Sequence, residues 1–572
     1  MSVESTAPPS RHPRRQRVLH RAGLTATLLG VLLGLGVGID TAAPVNAAPP
    51  SDAAQAPPKP QTKRSSTSVE FDGFLASIDA WDLDAAKRRR SALADPRERE
   101  LADGILGLYE ARYADAESTL AALVAANPDL DDPVSGRAAY YVDIARGAQL
   151  ALGEAVTLTS ADGRVEAVFA DPKDAILAPY LFDAMAAAYE TLGADLGVYP
   201  DAPIRFEFYD EPGKLALVTP LTLDNIYTTG TVGICKYRRI MMITPRVMVY
   251  GYGWLDTAVH EYVHYLLTIR TKNAAPVWMQ EGLAKLMESR WRVPGQLELG
   301  APVRKLLHDA LAKDELVTLE QMHPSVAMLP SQELAALAYA EAETMLGLLE
   351  EQRGVEGLGA MLDDVAGGVD AKQAFADAWG GSFDDFFEVW KRTMRTRTAG
   401  SGDAVGPVSD LAFKSDDAPA DADPSLHGDV FSHLGGGRAR KHARLGVLLT
   451  LRGHTQAAVL EYEKARAVDR SVRDDPQLAR RLGELYLDLG RAADALPLLI
   501  LAGDHEPDNA NLAAAEARAR RLTGDLEGAA EAVARAVQHN PFIPGIHCDL
   551  TVLAEAEGDA TRAAAERELC ME

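Results

Sequence analysis

The segment that most limits how this chain can fold is His260-Glu261-Tyr262-Val263-His264. In a helix, residues four apart differ in direction by about 40°, so the two histidines project from one face, one turn apart. At that spacing each imidazole can reach a metal ion at about 2.1 Å. Glu261 sits beside them on the helix wheel, close enough to hydrogen-bond a water on the metal without being a ligand itself. Leu255, Val259, Tyr262 and Leu266 occupy the opposite face and are expected to pack into a core. The pattern is HExxH, a zinc-binding helix signature. Its bland alternative is a set of ordinary polar residues. Context argues against that: the segment follows a β-rich stretch, lies on an amphipathic helix and precedes a second helix that carries a glutamate.

A third ligand has to come from elsewhere. Metzincins place a glycine three residues after the second histidine and a histidine six after it. Here those positions hold Leu267 and Arg270, which excludes that class. The spacing predicts helices over 254–271 and 276–291, with a break at Asn273-Ala274-Ala275 and Pro276 opening the second. Glu281 then lies about one turn into the returning helix, level with the histidines. Glu288 is the competitor, about 10 Å further along. The expected metal set is therefore His260, His264 and Glu281, holding one Zn2+ per chain. Gly282 and Ala284 are read as small residues that let the two helices approach.

A period of 34 residues, Pro507 to Pro541, governs the C-terminal quarter. Gly483, Tyr486, Ala495, Leu499 and Ala502 fit one tetratricopeptide unit, and Ala517, Ala529, Val533 and Ala536 fit the next. Gly446, Ala458, Tyr462 and Ala465 mark an earlier unit, and 545–568 a capping pair. A single unit is visible near the other end, at Gly104, Gly107, Ala116, Leu120, Leu123 and Pro128. Between these regions, Val165–Phe169 and Ile204–Tyr209 read as strands flanking a long helix, Asp174–Leu192. Ile234–Ile243 reads as one further β-type run. Helices are expected over 301–313, 331–353, 355–364, 370–379 and 382–394.

Arginines at 11, 14, 15, 17 and 21 precede an apolar run, Ala22 to Ile39, and small residues at 45–48. This is a secretory signal layout. An uncleaved run of that length is a marginal membrane anchor. The resulting division is 1–47 signal peptide, 48–68 disordered tether, 69–152 helical tetratricopeptide-like region, 153–396 metallopeptidase domain, 397–440 linker and 441–572 C-terminal repeats. The net charge of −25 leaves no basic excess for phosphates and excludes a nucleic-acid partner. Cys548 and Cys570 pair only if the last two helices are antiparallel neighbours; otherwise Cys235, Cys548 and Cys570 are expected as unpaired thiols.

HExxH followed by Trp278-Met279-Gln280-Glu281-Gly282-Leu283-Ala284 resembles the gluzincin metallopeptidases, specifically peptidase MA-like domains of proteins with tetratricopeptide repeats. The resemblance spans about 170–395. It implies an α+β zincin-like catalytic domain with mostly α-helical repeat regions on both sides. It also implies zinc on His260, His264 and Glu281, with Glu261 as general base. Gluzincins often carry a tyrosine in a later helix as oxyanion donor, which points to Tyr339; a core aromatic in an alanine-rich helix is its plainer reading. Two features depart from named relatives. Gly230-Thr231-Val232-Gly233-Ile234 lacks the amine-binding glutamate of aminopeptidase N. Lys285 stands where thermolysin-like enzymes place an acid that orients a histidine, leaving that support unidentified, with Asp256 as a substitute.

The function expected from these readings is an exported zinc peptidase, periplasmic, cell-envelope or secreted. Its partners are a peptide or protein substrate and a protein held by the repeats. Membrane contact is expected only if the N-terminal segment stays uncleaved. The rival is a non-catalytic repeat scaffold with a structural or vestigial zinc site.

Overall fold

A computed structural model describes residues 30–33, 67–295, 298–400, 411, 413, 431–434, 437–468 and 470–570. Apart from Gly30–Leu33, the expected signal peptide and most of the tether lie outside the described residues. So does most of the linker. Among the described residues no helix is long and apolar enough to cross a membrane.

The chain is mostly helical around one small mixed sheet. Its strands are β1 (Gly30–Leu33), β2 (Val156–Thr159), β3 (Val165–Phe169), β4 (Ile204–Tyr209), β5 (Thr231–Lys236) and β6 (Arg239–Ile243), in the spatial order β1-β5-β6-β4-β3-β2. β3, β4 and β6 run parallel to one another, β2 lies antiparallel to β3, β1 lies parallel to β5, and β5 and β6 form an antiparallel hairpin. Alternation along the strands sorts their side chains onto two buried faces. Ala167, Phe206, Phe208 and Met242 join the core of the central domain, under the HExxH helix. Val168, Tyr209, Met241 and Ile243 face the other way, into a core shared with the N-terminal helices.

Both predicted strands, Val165–Phe169 and Ile204–Tyr209, form as read. The single run expected over 234–243 is instead a hairpin. Tyr237 and Arg238 form its turn at φ 53° and 59°. Such a turn requires positive φ at both central residues and normally advertises itself with Asn-Gly or Asp-Gly. Here bulky residues occupy it, so no turn signal was visible. The helix expected from Asp174 begins later: Pro172–Leu177 is a 3-10 turn and the α-helix is Ala178–Leu196. Pro179 has no N–H to bond the carbonyl of residue 175, and it sits instead in the first turn of the α-helix, where that donor is not needed.

Flanking the sheet, five helices cover Val69 to Leu152, and eight cover Arg438 to Val468 and Pro476 to Cys570 apart from the short turn at Arg470–Arg473. The positions read as repeat signatures do meet. A Cβ on Gly104 would lie 2.4 Å from Leu120, and one on Gly446 would lie 2.5 Å from Tyr462. The small residues thus set how closely paired helices approach. Cys548 and Cys570 form a disulfide across the last two helices, correcting the expectation of unpaired thiols; Cys235 is free and buried.

Candidate metal centre

The HExxH segment lies on a helix, Trp254–Thr271, and the glutamate on the returning helix, Val277–Met287. Lys272 and Asn273 reverse the chain between them at φ 53° and 62°. The helices bring three ligand atoms to one point. His260 Nε2 and His264 Nε2 are 3.2 Å apart. Glu281 Oε2 is 3.5 Å from the first and 3.4 Å from the second. A tetrahedral ion with ligands at about 2.1 Å requires donor atoms about 3.4 Å apart, so the triangle has the dimensions of a zinc site. Glu281 Oε1 and Oε2, Glu261 Oε1 and Oε2, and His264 Nδ1 have no hydrogen-bond partner in the protein, although all are buried. Buried polar atoms left without partners call for an ion or water. Among the described residues, His260, His264 and Glu281 are the only group that converges in this way.

Burial governs the electrostatics. His264 is held neutral, its pKa pushed down to about 3 by desolvation against a smaller opposing effect of Gln280. A neutral imidazole is the form that ligates. Burial raises the Glu261 carboxyl well above its usual range, and the neighbouring Glu281 charge adds to this against a small opposing effect of the Cys235 N–H. Burial likewise raises Glu281, against the pull of His260 and Lys285. These carboxyls and imidazoles are 0–1% exposed.

Glu288, the competitor for the third ligand position, has a different place. Its Oε2 lies 3.0 Å from His260 Nδ1, and its Oε1 accepts from Lys285 Nζ at 2.5 Å. Burial would raise this carboxyl, but Lys285 and His260 outweigh burial and hold it below its ordinary range. A carboxylate on the far nitrogen of a ligating histidine fixes its tautomer and orientation. Lys285 therefore supports the acid instead of replacing it. Spacing set Glu288 aside as a ligand but did not show its second place: two turns along from Glu281, it reaches the outer nitrogen of His260. Asp256 does not orient a histidine; it binds Arg292, Trp291 and Gln538.

Two glycines shape the site. A Cβ at Gly233, on β5, would lie 2.7 Å from Glu261 Oε1, so glycine makes room for that carboxylate beside the strand. A Cβ at Gly282 would lie 2.7 Å from the Ala342 backbone. Its smallness therefore serves packing against the long helix Gln332–Ala366, not against the HExxH helix as read from sequence. That long helix, broken at Gly354 as the predicted boundary suggested, carries Tyr339. The Tyr339 ring meets the His260 ring edge-on at 6.3 Å.

Comparisons with known proteins bear on the central region. No curated protein matches the chain. Among solved structures, MamA MSR-1 is 20% identical with a TM-score of 0.21, over 22% of this chain and 72% of its own. A MamA RS-1 ArsTM double mutant is 22% identical with a TM-score of 0.22, over 25% of this chain and 78% of its own. Residues 184–396, which contain both ligand helices and Tyr339, match the sequence model of the Peptidase MA superfamily, so the chain carries a peptidase MA-like domain built around this centre.

Proposed function

We propose that this chain is an exported zinc-dependent peptidase of the gluzincin type. The observation that carries the reading is the triangle of His260, His264 and Glu281 donor atoms, 3.2–3.5 Å on a side and buried, with Glu261 alongside. Zinc bound there would polarise a scissile carbonyl and lower the pKa of the attacking water. Glu261 takes the proton of that water and delivers it to the leaving amine. Glu288 keeps His260 in the tautomer that presents Nε2. Tyr339 donates its hydroxyl to the developing oxyanion. β5, the strand next to Glu261, is paired with β1 on its outer side; removal of residues 1–47 as a signal peptide would free that edge to bind the substrate backbone in extended form. The ligand atoms are shut off from solvent, so a substrate reaches them only when covering chain moves aside.

Three protein ligands favour the catalytic over the scaffold reading, because structural zinc sites are normally closed by four. The basic start and apolar run support export, and the Cys548–Cys570 disulfide suits an oxidising compartment. The C-terminal helix pairs are read as tetratricopeptide repeats that present a protein substrate or partner.

Metal analysis beside peptide-library cleavage tests the proposal. The protein should carry about one equivalent of zinc, and His260→Ala should lose it. Glu261→Gln should keep the zinc and lose about 10²–10⁴-fold in hydrolysis. Absence of zinc from the wild type, or full cleavage by Glu261→Gln, would overturn it.

A further inference from the structure

The last turn of the repeat helix Leu526–His539 is built onto the start of the HExxH helix. The carbonyls that end a helix lack internal donors, and here the central domain supplies them. Trp254 Nε1 donates to Val537 O at 3.0 Å, and Tyr252 N donates to His539 O at 3.1 Å. Gln538 Nε2 adds a third contact, donating to Asp256 Oδ2 at 2.7 Å. The approach is close enough to need Gly251, whose φ is 76° and whose Cβ would fall 2.4 Å from His539 O. Trp254 is fully buried and Tyr252 nearly so.

Asp256 makes this contact more than a domain junction. It lies in the first turn of the HExxH helix, which has no side-chain cap of its own. It accepts from Trp291 Nε1 at 2.9 Å and from Arg292 Nε at 2.9 Å, just beyond the helix of Glu281 and its C-terminal cap Glu288. One carboxylate therefore joins three pieces: the helix of His260 and His264, the chain following the helix of Glu281, and the C-terminal repeats. A metal site holds its ion only while its ligands stay within a few tenths of an ångström of their positions.

We infer that Asp256 is a positioning residue through which the C-terminal repeats set the relation between the two ligand-bearing helices, and hence the zinc affinity. The inference rests on the metal reading of His260, His264 and Glu281. The repeats then have a second role besides presenting a partner: whatever shifts the Leu526–His539 helix alters the metal centre.

Zinc titration and hydrogen exchange on the full-length chain test this. Gln538→Leu removes the donor at constant bulk. It should weaken zinc binding about three- to tenfold, below the range seen when a direct partner of a ligand is lost. It should also speed exchange over the start of Trp254–Thr271. Gln538→Lys, which offers Asp256 an ammonium, should restore both. Tyr180→Phe cuts a different contact between the same domains, Tyr180 to Glu566 at 3.2 Å, and should leave both unchanged. Equal zinc affinity and exchange in Gln538→Leu and wild type would overturn the inference, as would equal losses in Tyr180→Phe. If the wild type bound no zinc, the peptidase reading would fail by itself, while exchange at the HExxH helix would still report whether the contact positions it.

Discussion

The two helical flanks attach to the central domain in different ways. The N-terminal helices have no core separate from the sheet: Phe74, Ile105 and Leu120 belong to one buried cluster with Ile234, Met241 and Ile243 of β5 and β6. Polar links cross that boundary as well, from Tyr113 to Glu207 and from Tyr140 to Tyr237. The C-terminal helices fill two cores of their own. They meet the central domain through directed contacts at Trp254, Tyr252, Asp256 and Tyr180. Shared apolar burial makes the first flank part of the domain that holds the site. A core of its own, joined to the central domain by the end of Leu526–His539 and by smaller contacts of Phe542 and Tyr180, makes the second a separable body with a grip on the site.

The strongest way to break this contrast is Phe74→Ala, in the N-terminal cluster. Truncating a buried phenylalanine costs about 3–5 kcal/mol. Urea unfolding followed by hydrogen exchange should show the N-terminal helices and β5–β6 destabilised together, with zinc lost in the same transition. Leu499→Ala, buried within the C-terminal cluster, should cost about 2–5 kcal/mol in a separate transition. Zinc content should stay unchanged while the repeats remain folded. A single merged transition in both variants would erase the distinction. Reduction of Cys548–Cys570, which closes a separation of 22 residues, should remove about 3 kcal/mol from the last two helices alone, visible as faster exchange there. Glu288→Gln should leave the C-terminal transition in place while weakening zinc about 10–100-fold by titration. That result would separate the site's own support from the C-terminal flank.

Much of the centre was legible because its parts are local. His260 and His264 share a helix, and Glu281 follows after one reversal, so periodicity and rise placed all three. Glu288 was visible as a candidate but in the wrong role, since which nitrogen of His260 it reaches depends on how the two helices cross. The β5–β6 turn was missed because Tyr237 and Arg238 carry positive φ without a turn residue's signature. Gly282 was rightly read as a close contact, but its partner, Ala342, lies on a helix that sequence spacing could not place beside it.

The chain's own order thus placed His260, His264 and Glu281 together and set the two main strands and the paired helices at either end, because a 3.6-residue turn, a two-residue alternation and a 34-residue period each act over short separations. Tertiary structure alone decided that Gly233 clears space for Glu261, that Glu288 and Lys285 form the support of His260, and that Val537, Gln538 and His539 hold the start of the HExxH helix. The last of these joins residues 283 positions apart at Trp254 and Val537. Such contacts are selected by which faces remain to be buried and which helix-end carbonyls still lack donors after every element has formed, and no local pattern records that.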